Sequence, residues 1–341
     1  MSARSGILAG GNWIVDKLKL VDVYPQQDAL ANIISETTGN GGSPFNILMD
    51  FAKLGASFPT FAIGLIGDDA NGEWIREECA ANRIDTAQLR AHAEAPTSYT
   101  DVMTVQSTGR RTFFHQRGAN AFLDDGHFDF TASAAKIFHL GYLLLLDRLD
   151  AADAEYGTVA ARILHRAREA GCKTSIDVVS EDSRRFAQIV LPALSYVDYC
   201  IINEFELERT TGLEVRTEKG IDFRALRAGA EKLLGAGVSE WVVIHFPEGG
   251  AAVGRDGKLH VQGSLVLPQS EIVSAVGAGD AFAAGMLFGL HEEIPIETAL
   301  KYGVCCAASC LGGTGTSNGI KPLRDVLALE KRFGTRTLAA D

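Results

Sequence analysis

Val273–Gly285 reads VSAVGAGDAFAAG. Two glycines flank one alanine, an aspartate follows at once, and the chain then continues in small apolar residues. SEIVSAV reads as an extended strand and AFAAGMLFGLH as a helix, which makes Gly277-Ala278-Gly279-Asp280 the turn between them. At such a turn the first amides of the helix lack partners and the positive end of its dipole points outward. Glycine lets the backbone approach an anion with no Cβ in the way. Asp280 is the informative residue: a carboxylate repels phosphate unless it has work to do, and taking a proton from an attacking hydroxyl is one such task. On local pattern alone, an Asp that merely caps a helix accounts for the stretch equally well. It is neither a Walker A loop nor a dinucleotide fingerprint, since no GxxxxGK[ST] occurs and Phe282 stands where the third glycine would be. The later run GGTGTSNG, 312–319, follows a helix and reads as a loop.

Working outward, the 341 residues are 46% hydrophobic and 22% charged, with a formal net charge of -11. That balance suits a globular α/β chain and leaves no broad basic patch for a nucleic-acid backbone. A small anion held by backbone amides is compatible with it. The six cysteines form no CxxC pair and show no zinc spacing, so they read as buried thiols of a reducing, cytoplasmic protein. The longest apolar run, IFHLGYLLLL, 137–146, is too short to span a bilayer.

Strand-like runs dominate from Gly6 to about Gly118, with one clear helix among them, GGSPFNILMDFAKLGA. There Ser43 reads as the N-cap, Pro44 as the first helical residue and Gly55 as the stop. TSYTDVMTV and RTFFHQ flank STGR as a hairpin. From about Lys136 strand and helix alternate, with a hairpin turning at Asp256-Gly257, which argues for a mainly parallel sheet with helices on both faces. The early alternating strands do not all fit that sheet and read as a small separate β layer.

Two further constellations carry polar groups. GGSPFN exposes backbone at Gly41 and Gly42 and sets Asn46 one turn into the helix, where an amide suits a sugar hydroxyl. In NWIVD, Asn12 and Asp16 share one face of the first strand, an arrangement that needs partners when buried; a solvent-facing strand end and an ordinary cap are the plainer alternative. YCIINEFELE sets Asn203 and Glu206 at a strand end, able to hold a hydrated Mg²⁺ or simply to start a helix.

In this order the pieces resemble the ribokinase-like, or PfkB, family of sugar and nucleoside kinases over nearly the whole chain. GGSPFN is similar to the family's early di-glycine motif, NEFE to its NxxE motif, and AVGAGDAFAAG to its late signature, the most specific of the three. RGAN, 117–120, stands where related sugar kinases often carry something similar. The resemblance implies one ribokinase-like domain over 1–341, a doubly wound α/β sheet flanked by helices with a small β-sheet lid from about 14–38 and 97–117. It implies ATP-dependent phosphorylation of a hydroxyl. Asp280 would be the base, the amides of Gly277, Ala278 and Gly279 the anion hole, and Asn203 and Glu206 the organisers of Mg²⁺ through water. Asn12, Asp16, Gly41, Gly42, Asn46 and Arg117 would lie on the acceptor side, with Gly249 and Gly250 beside ATP. In relatives the lid is sometimes a homodimer interface. Ser274 and Ala275 replace the usual acidic residue and Thr, which leaves activation by a monovalent cation open. A free sugar is favoured as acceptor. A nucleoside is the close alternative, its base stacked on Trp13, Phe45, Tyr99 or Phe114. A non-catalytic sugar binder ranks lower because Asp280 is retained, and a nicotinamide oxidoreductase lower still.

Overall fold

The computed structural model describes residues 4–339. A nine-stranded sheet runs, in spatial order, Leu259–Gly263, Gly249–Gly254, Trp241–Phe246, Tyr199–Asn203, Lys173–Val178, Ile137–Leu143, Ile7–Gly11, Thr60–Gly67, Asp85–His92. All neighbours are parallel except the hairpin strands at the first edge. Its central strands are apolar on both faces, as a sheet covered twice requires. Alternate residues point to opposite sides. Thus Leu8, Ile202 and Ile244 pack with the helices Val159–Glu169, Phe186–Leu194 and Phe223–Ala236. Ile7, Ala9, Ile201 and Val243 pack with Ser43–Leu54, Ala278–His291 and Ile296–Leu311.

A separate four-stranded sheet, in the order Ile33–Gly41, Ile14–Val21, Ser98–Val105, Arg111–Gln116, extends from the end of the first central strand. It falls where the early alternating strands place it, its strand Ile33–Gly41 running three residues past the expected edge into the di-glycine. The hairpin around STGR and the edge hairpin at Asp256-Gly257 both form. Among the described residues no helix is long and apolar enough to cross a membrane.

Four local expectations are corrected. The helix over Ser43–Leu54 is capped by Gly42, not Ser43, and Pro44 is its second residue. Gly42 takes φ 81°, and a Cβ there would meet the Asn12 carbonyl oxygen at 1.9 Å, so the chain can leave the strand here only as glycine. SEIVSAV is no strand: a short 3₁₀ turn at Gln269–Glu271 is followed by irregular chain up to Gly277. A second early helix, Ala70–Ala81, lies within the stretch read as strand-rich; it buries only Gly72, Ile75 and Cys79, and Asp69 caps it through the Gly72 amide at 2.9 Å. Its apolar stripe is too thin to register as a helical period. Asn12 and Asp16 do not share one strand, since the chain breaks at Asn12–Trp13 between Ile7–Gly11 and Ile14–Val21.

Asp50 is an anomaly in the packing. It lies on the buried side of the helix Ser43–Leu54, fully covered, and among the described residues neither carboxylate oxygen has a hydrogen-bond partner. Burial, helped by the Asp280 charge, holds its carboxyl well above the ordinary range, with Ser317 and Lys53 pulling the other way. In the unfolded chain the group ionises near pH 4, whereas the folded chain keeps its proton to a much higher pH. The contribution of Asp50 to stability therefore falls as pH rises above about 4. Asp50→Asn is expected to raise the folding free energy at pH 8 by about 1–3 kcal/mol. Urea denaturation should show that gain shrinking as the pH is lowered to 5; a variant less stable than the parent at pH 8 contradicts the assignment.

Candidate active site

The polar residues converge at the carboxyl ends of the parallel strands, where ligands of doubly wound sheets bind. Asn12 follows Ile7–Gly11, while Tyr142, Asp177, Asn203 and His245 sit at or near the ends of Ile137–Leu143, Lys173–Val178, Tyr199–Asn203 and Trp241–Phe246. Facing them is the start of the helix Ala278–His291. Gly277 caps it in the left-handed region at φ 78°, and a Cβ there would meet the Thr316 carbonyl oxygen at 2.4 Å. Ala278, Gly279 and Asp280 are its first three residues, and no side chain caps their amides.

Asp280 is buried beneath two donors. Asn46 Nδ2 donates to Oδ2 at 2.8 Å, and the Tyr142 hydroxyl reaches Oδ1 and Oδ2 at 2.7 and 2.8 Å. Burial pushes its carboxyl up to about 6, against the pull of those two hydrogen bonds. The surroundings are acidic. Asp16 is pushed up to about 8 by burial and by the Asp280 charge. Asp177 is held well above the ordinary range by burial, Asp280 and Glu206. Glu206 is pushed up to about 7, by burial first and in smaller part by Glu204 and Asp280.

The di-glycine segment closes one side. A Cβ at Gly41 would strike the Asp16 carboxylate, so the two residues are in contact. Asn12 is committed to the scaffold: its Nδ2 donates to the Leu145 carbonyl at 3.0 Å and its Oδ1 accepts from the Tyr142 amide at 2.7 Å. It thereby positions Tyr142. Ser43, freed from capping, links its hydroxyl to His139 Nε2 at 2.9 Å and to Asp177 Oδ2 at 3.3 Å. Arg117 lies farther out, paired with Asp147 at 3.3 Å on a half-exposed surface.

NEFE forms a capping box. Asn203 Oδ1 accepts from the Glu206 amide at 2.8 Å, and Glu206 Oε2 accepts from the Asn203 amide at 2.8 Å. The Ser180 hydroxyl donates to Glu206 Oε1 at 2.7 Å, so both Glu206 oxygens are engaged. Asn203 also lines a cavity of about 610 Å³ whose wall includes His245, Gly249, Ala278, Gly279 and Phe282. Gly250 stands behind that wall, under the Phe282 ring. His245 lies against Gly279 and packs on Phe282, their rings tilted with centroids 5.2 Å apart; burial pushes its imidazole down to about 4, so it is neutral at pH 7.

Tyr142 and Asn40, the latter bonded to Asn46 at 2.7 Å, are site residues that sequence reasoning passed over. Tyr142 lies in an apolar run that reads as core strand, interrupted before it only by His139 and Gly141. Trp13 and Phe45 are fully buried and pack on each other at 5.3 Å, while Phe114 is half exposed on the small sheet.

The chain belongs to the family of pfkB carbohydrate kinases, whose model matches residues 13–323. It is therefore a phosphotransferase with a hydroxyl acceptor. It is 26% identical over 323 residues to a ribokinase of Arabidopsis thaliana, covering 91% of this chain and 78% of that one. It is 27% identical to an ATP-dependent ribose-1-phosphate kinase of Halopiger xanaduensis, covering 96% and 99%. In structure it superposes on Arabidopsis ribokinase complexed with ribose and ATP with a TM-score of 0.76 at 24% identity, covering 96% and 99% of the two chains. A nucleoside kinase of Methanocaldococcus jannaschii matches with a TM-score of 0.74 at 16% identity, covering 97% and 100%. The doubly wound fold with its small separate sheet is the ribokinase fold.

Because two hydrogen bonds hold the Asp280 carboxyl down against burial, removing one raises it further. Tyr142→Phe is expected to shift the titration of Asp280 from about 6 to a higher pH. A ¹³Cγ-aspartate resonance assigned through Asp280→Asn reads the change; an unmoved or lowered midpoint contradicts the contact.

Proposed function

We propose that this protein is an ATP-dependent sugar kinase in which Asp280 is the general base. One observation carries the reading: the wall of the 610 Å³ cavity includes Ala278 and Gly279, the two residues that precede the buried Asp280. A nucleotide lying in the cavity would rest its base against apolar walls such as Phe282, Leu267 and Ala308, with Gly249 alongside and Gly250 behind. Its terminal phosphate would meet the helix start, where the backbone of Gly277, Ala278 and Gly279 and the dipole favour negative charge. The acceptor hydroxyl approaches from the side of Asp16, Gly41, Gly42 and Asn46, and takes the place of the Tyr142 hydroxyl on Asp280. The carboxylate accepts the hydroxyl proton, the new O–P bond forms at the γ-phosphorus, and the bond to the β,γ-bridging oxygen breaks to release ADP. Neutral His245 beside Gly279 adds no charge and shapes the floor.

A divalent cation fits the acidic side. After burial, the first cause for both, Asp177 is raised by Asp280 and Glu206, and Glu206 in smaller part by Asp280, so a positive charge there relieves mutual repulsion. Asn203 and Glu206 would hold Mg²⁺ through water, since both Glu206 oxygens are already engaged. When bound, Mg²⁺ supplies neutralisation of phosphate charge. With Ser274 and Ala275 where an acidic residue would assist, we assign no monovalent cation.

The acceptor we favour is a free sugar. Trp13 and Phe45 are locked in the core and offer no slot for a nucleobase, and relatives at 26% and 28% identity are called ribokinase and probable fructokinase. A nucleoside remains the alternative acceptor. We assign the small sheet as a lid inserted in one domain, with Arg117 at its base. Its exposed Ile33, Ile34, Phe113 and Phe114 suit contact with a second copy in a homodimer. Six free, buried thiols fit a cytoplasmic setting.

ADP release across ribose, 2-deoxyribose, fructose and adenosine tests the reading. At least one sugar should be turned over, and Asp280→Asn should lower kcat by roughly 10²–10⁴-fold while ATP binding by calorimetry stays measurable. Turnover within a few-fold of the parent, or adenosine accepted and every sugar refused, contradicts it. For the lid, Phe113→Asp with Phe114→Asp should convert a dimer into a monomer by sedimentation; a parent that sediments as a monomer contradicts the assignment.

A further inference from the structure

Asn46 ends in one carbonyl and one amide group, and only the amide can donate to an ionised carboxylate. What decides which end meets Asp280 lies behind it. Asn40, near the end of the strand Ile33–Gly41, is buried and uses both amide hydrogens: Nδ2 donates to Asn46 Oδ1 at 2.7 Å and to Ser317 Oγ at 2.9 Å. The Thr316 hydroxyl donates to the Asn40 backbone carbonyl at 2.5 Å, pinning the strand end to the loop that follows the helix Ile296–Leu311. With its carbonyl engaged, Asn46 presents Nδ2 to Asp280 Oδ2 at 2.8 Å. Donation thus runs in one direction, from Asn40 to Asn46 to Asp280. Turning Asn46 over would set amide against amide on one side and carbonyl against carboxylate on the other, two repulsive contacts in a buried place.

We propose that Asn40 is a positioning residue: it holds the Asn46 side chain in the orientation that donates to Asp280. The inference rests on the reading of Asp280 as base, which must be ionised to take a proton. Little else supports that state. The titratable groups around Asp280 are Asp16 from the small sheet, Asp50 from the helix Ser43–Leu54, and Tyr142 and Asp177 from central strands, with Glu206 and Cys310 beyond. None of them is a cation. The ionised form depends on the helix start and on two donors, and Asn40 secures one of these.

The same labelled aspartate resonance, titrated without nucleotide or sugar, provides the test. Asn46→Ala is expected to raise the Asp280 midpoint by about one pH unit. Asn40→Leu should reproduce most of that shift, and Asn40→Ala serves if the larger side chain prevents folding. Ser317→Ala keeps the Asn40–Asn46 bond and should move the midpoint by less than half as much. The acid limb of kcat, read on whichever sugar the parent phosphorylates, should follow the resonance. If Asn46→Ala raises the midpoint while both Asn40 variants titrate like the parent, or if Asn46→Ala itself leaves it unmoved, the proposal is overturned. If the resonance shifts as expected but the acid limb does not follow, Asn40 keeps its positioning role and the assignment of Asp280 as base falls instead.

Discussion

The site is organised around one buried carboxylate held by two donors at the head of a helix. Asp280 is removed from water, which by itself favours its neutral form, and it is drawn back toward ionisation by Asn46 and Tyr142. Burial outweighs the two donors, which leaves its carboxyl at about 6, where at neutral pH a carboxylate is mostly ionised and still basic enough to accept a proton. The rest of the site arranges that balance. Asn12 bonds the Tyr142 amide, Asn40 bonds the Asn46 carbonyl, and Gly277 turns the chain so that the helix starts against Thr316.

The fold brings these groups together because its strands are parallel. Every central strand delivers its last residue to the same edge, so residues as far apart as Asn12, Tyr142, Asp177, Asn203 and His245 meet without a long loop. The helix that carries Asp280 packs on the helix that carries Asn46, and both lie on one face of the sheet. Phosphoryl transfer needs little covalent help from the protein; it needs charge placed correctly and water kept out. A rigid sheet edge supplies the first, and the proposed lid would supply the second.

Much of this was legible in the sequence, for reasons that are local. The run GAGD followed by small apolar residues reports a helix start with bare amides whichever way the chain arrives, so it survives the finding that SEIVSAV is irregular chain. The di-glycine is legible for a similar reason: Gly42 must adopt a positive φ. What escaped depends on contacts across the fold. Ser43 has the composition of an N-cap, but His139 and Asp177, about a hundred residues away or more, claim its hydroxyl. NEFE was readable either as a metal site or as a helix start, and the capping box between Asn203 and Glu206 is the second. Tyr142 is hidden because an apolar run gives no sign that its one hydroxyl emerges at the strand end. Asn40 sits on a polar, mostly exposed strand, where nothing marks it as the residue behind Asn46.

The most direct measurement is a crystal structure with a non-hydrolysable ATP analogue and the sugar that is turned over. The account predicts the γ-phosphate on the amides at the start of the helix Ala278–His291, and one sugar hydroxyl about 3 Å from Asp280 where the Tyr142 oxygen now stands. A nucleotide outside the cavity, or a sugar whose hydroxyls all lie beyond hydrogen-bond reach of Asp280, contradicts it.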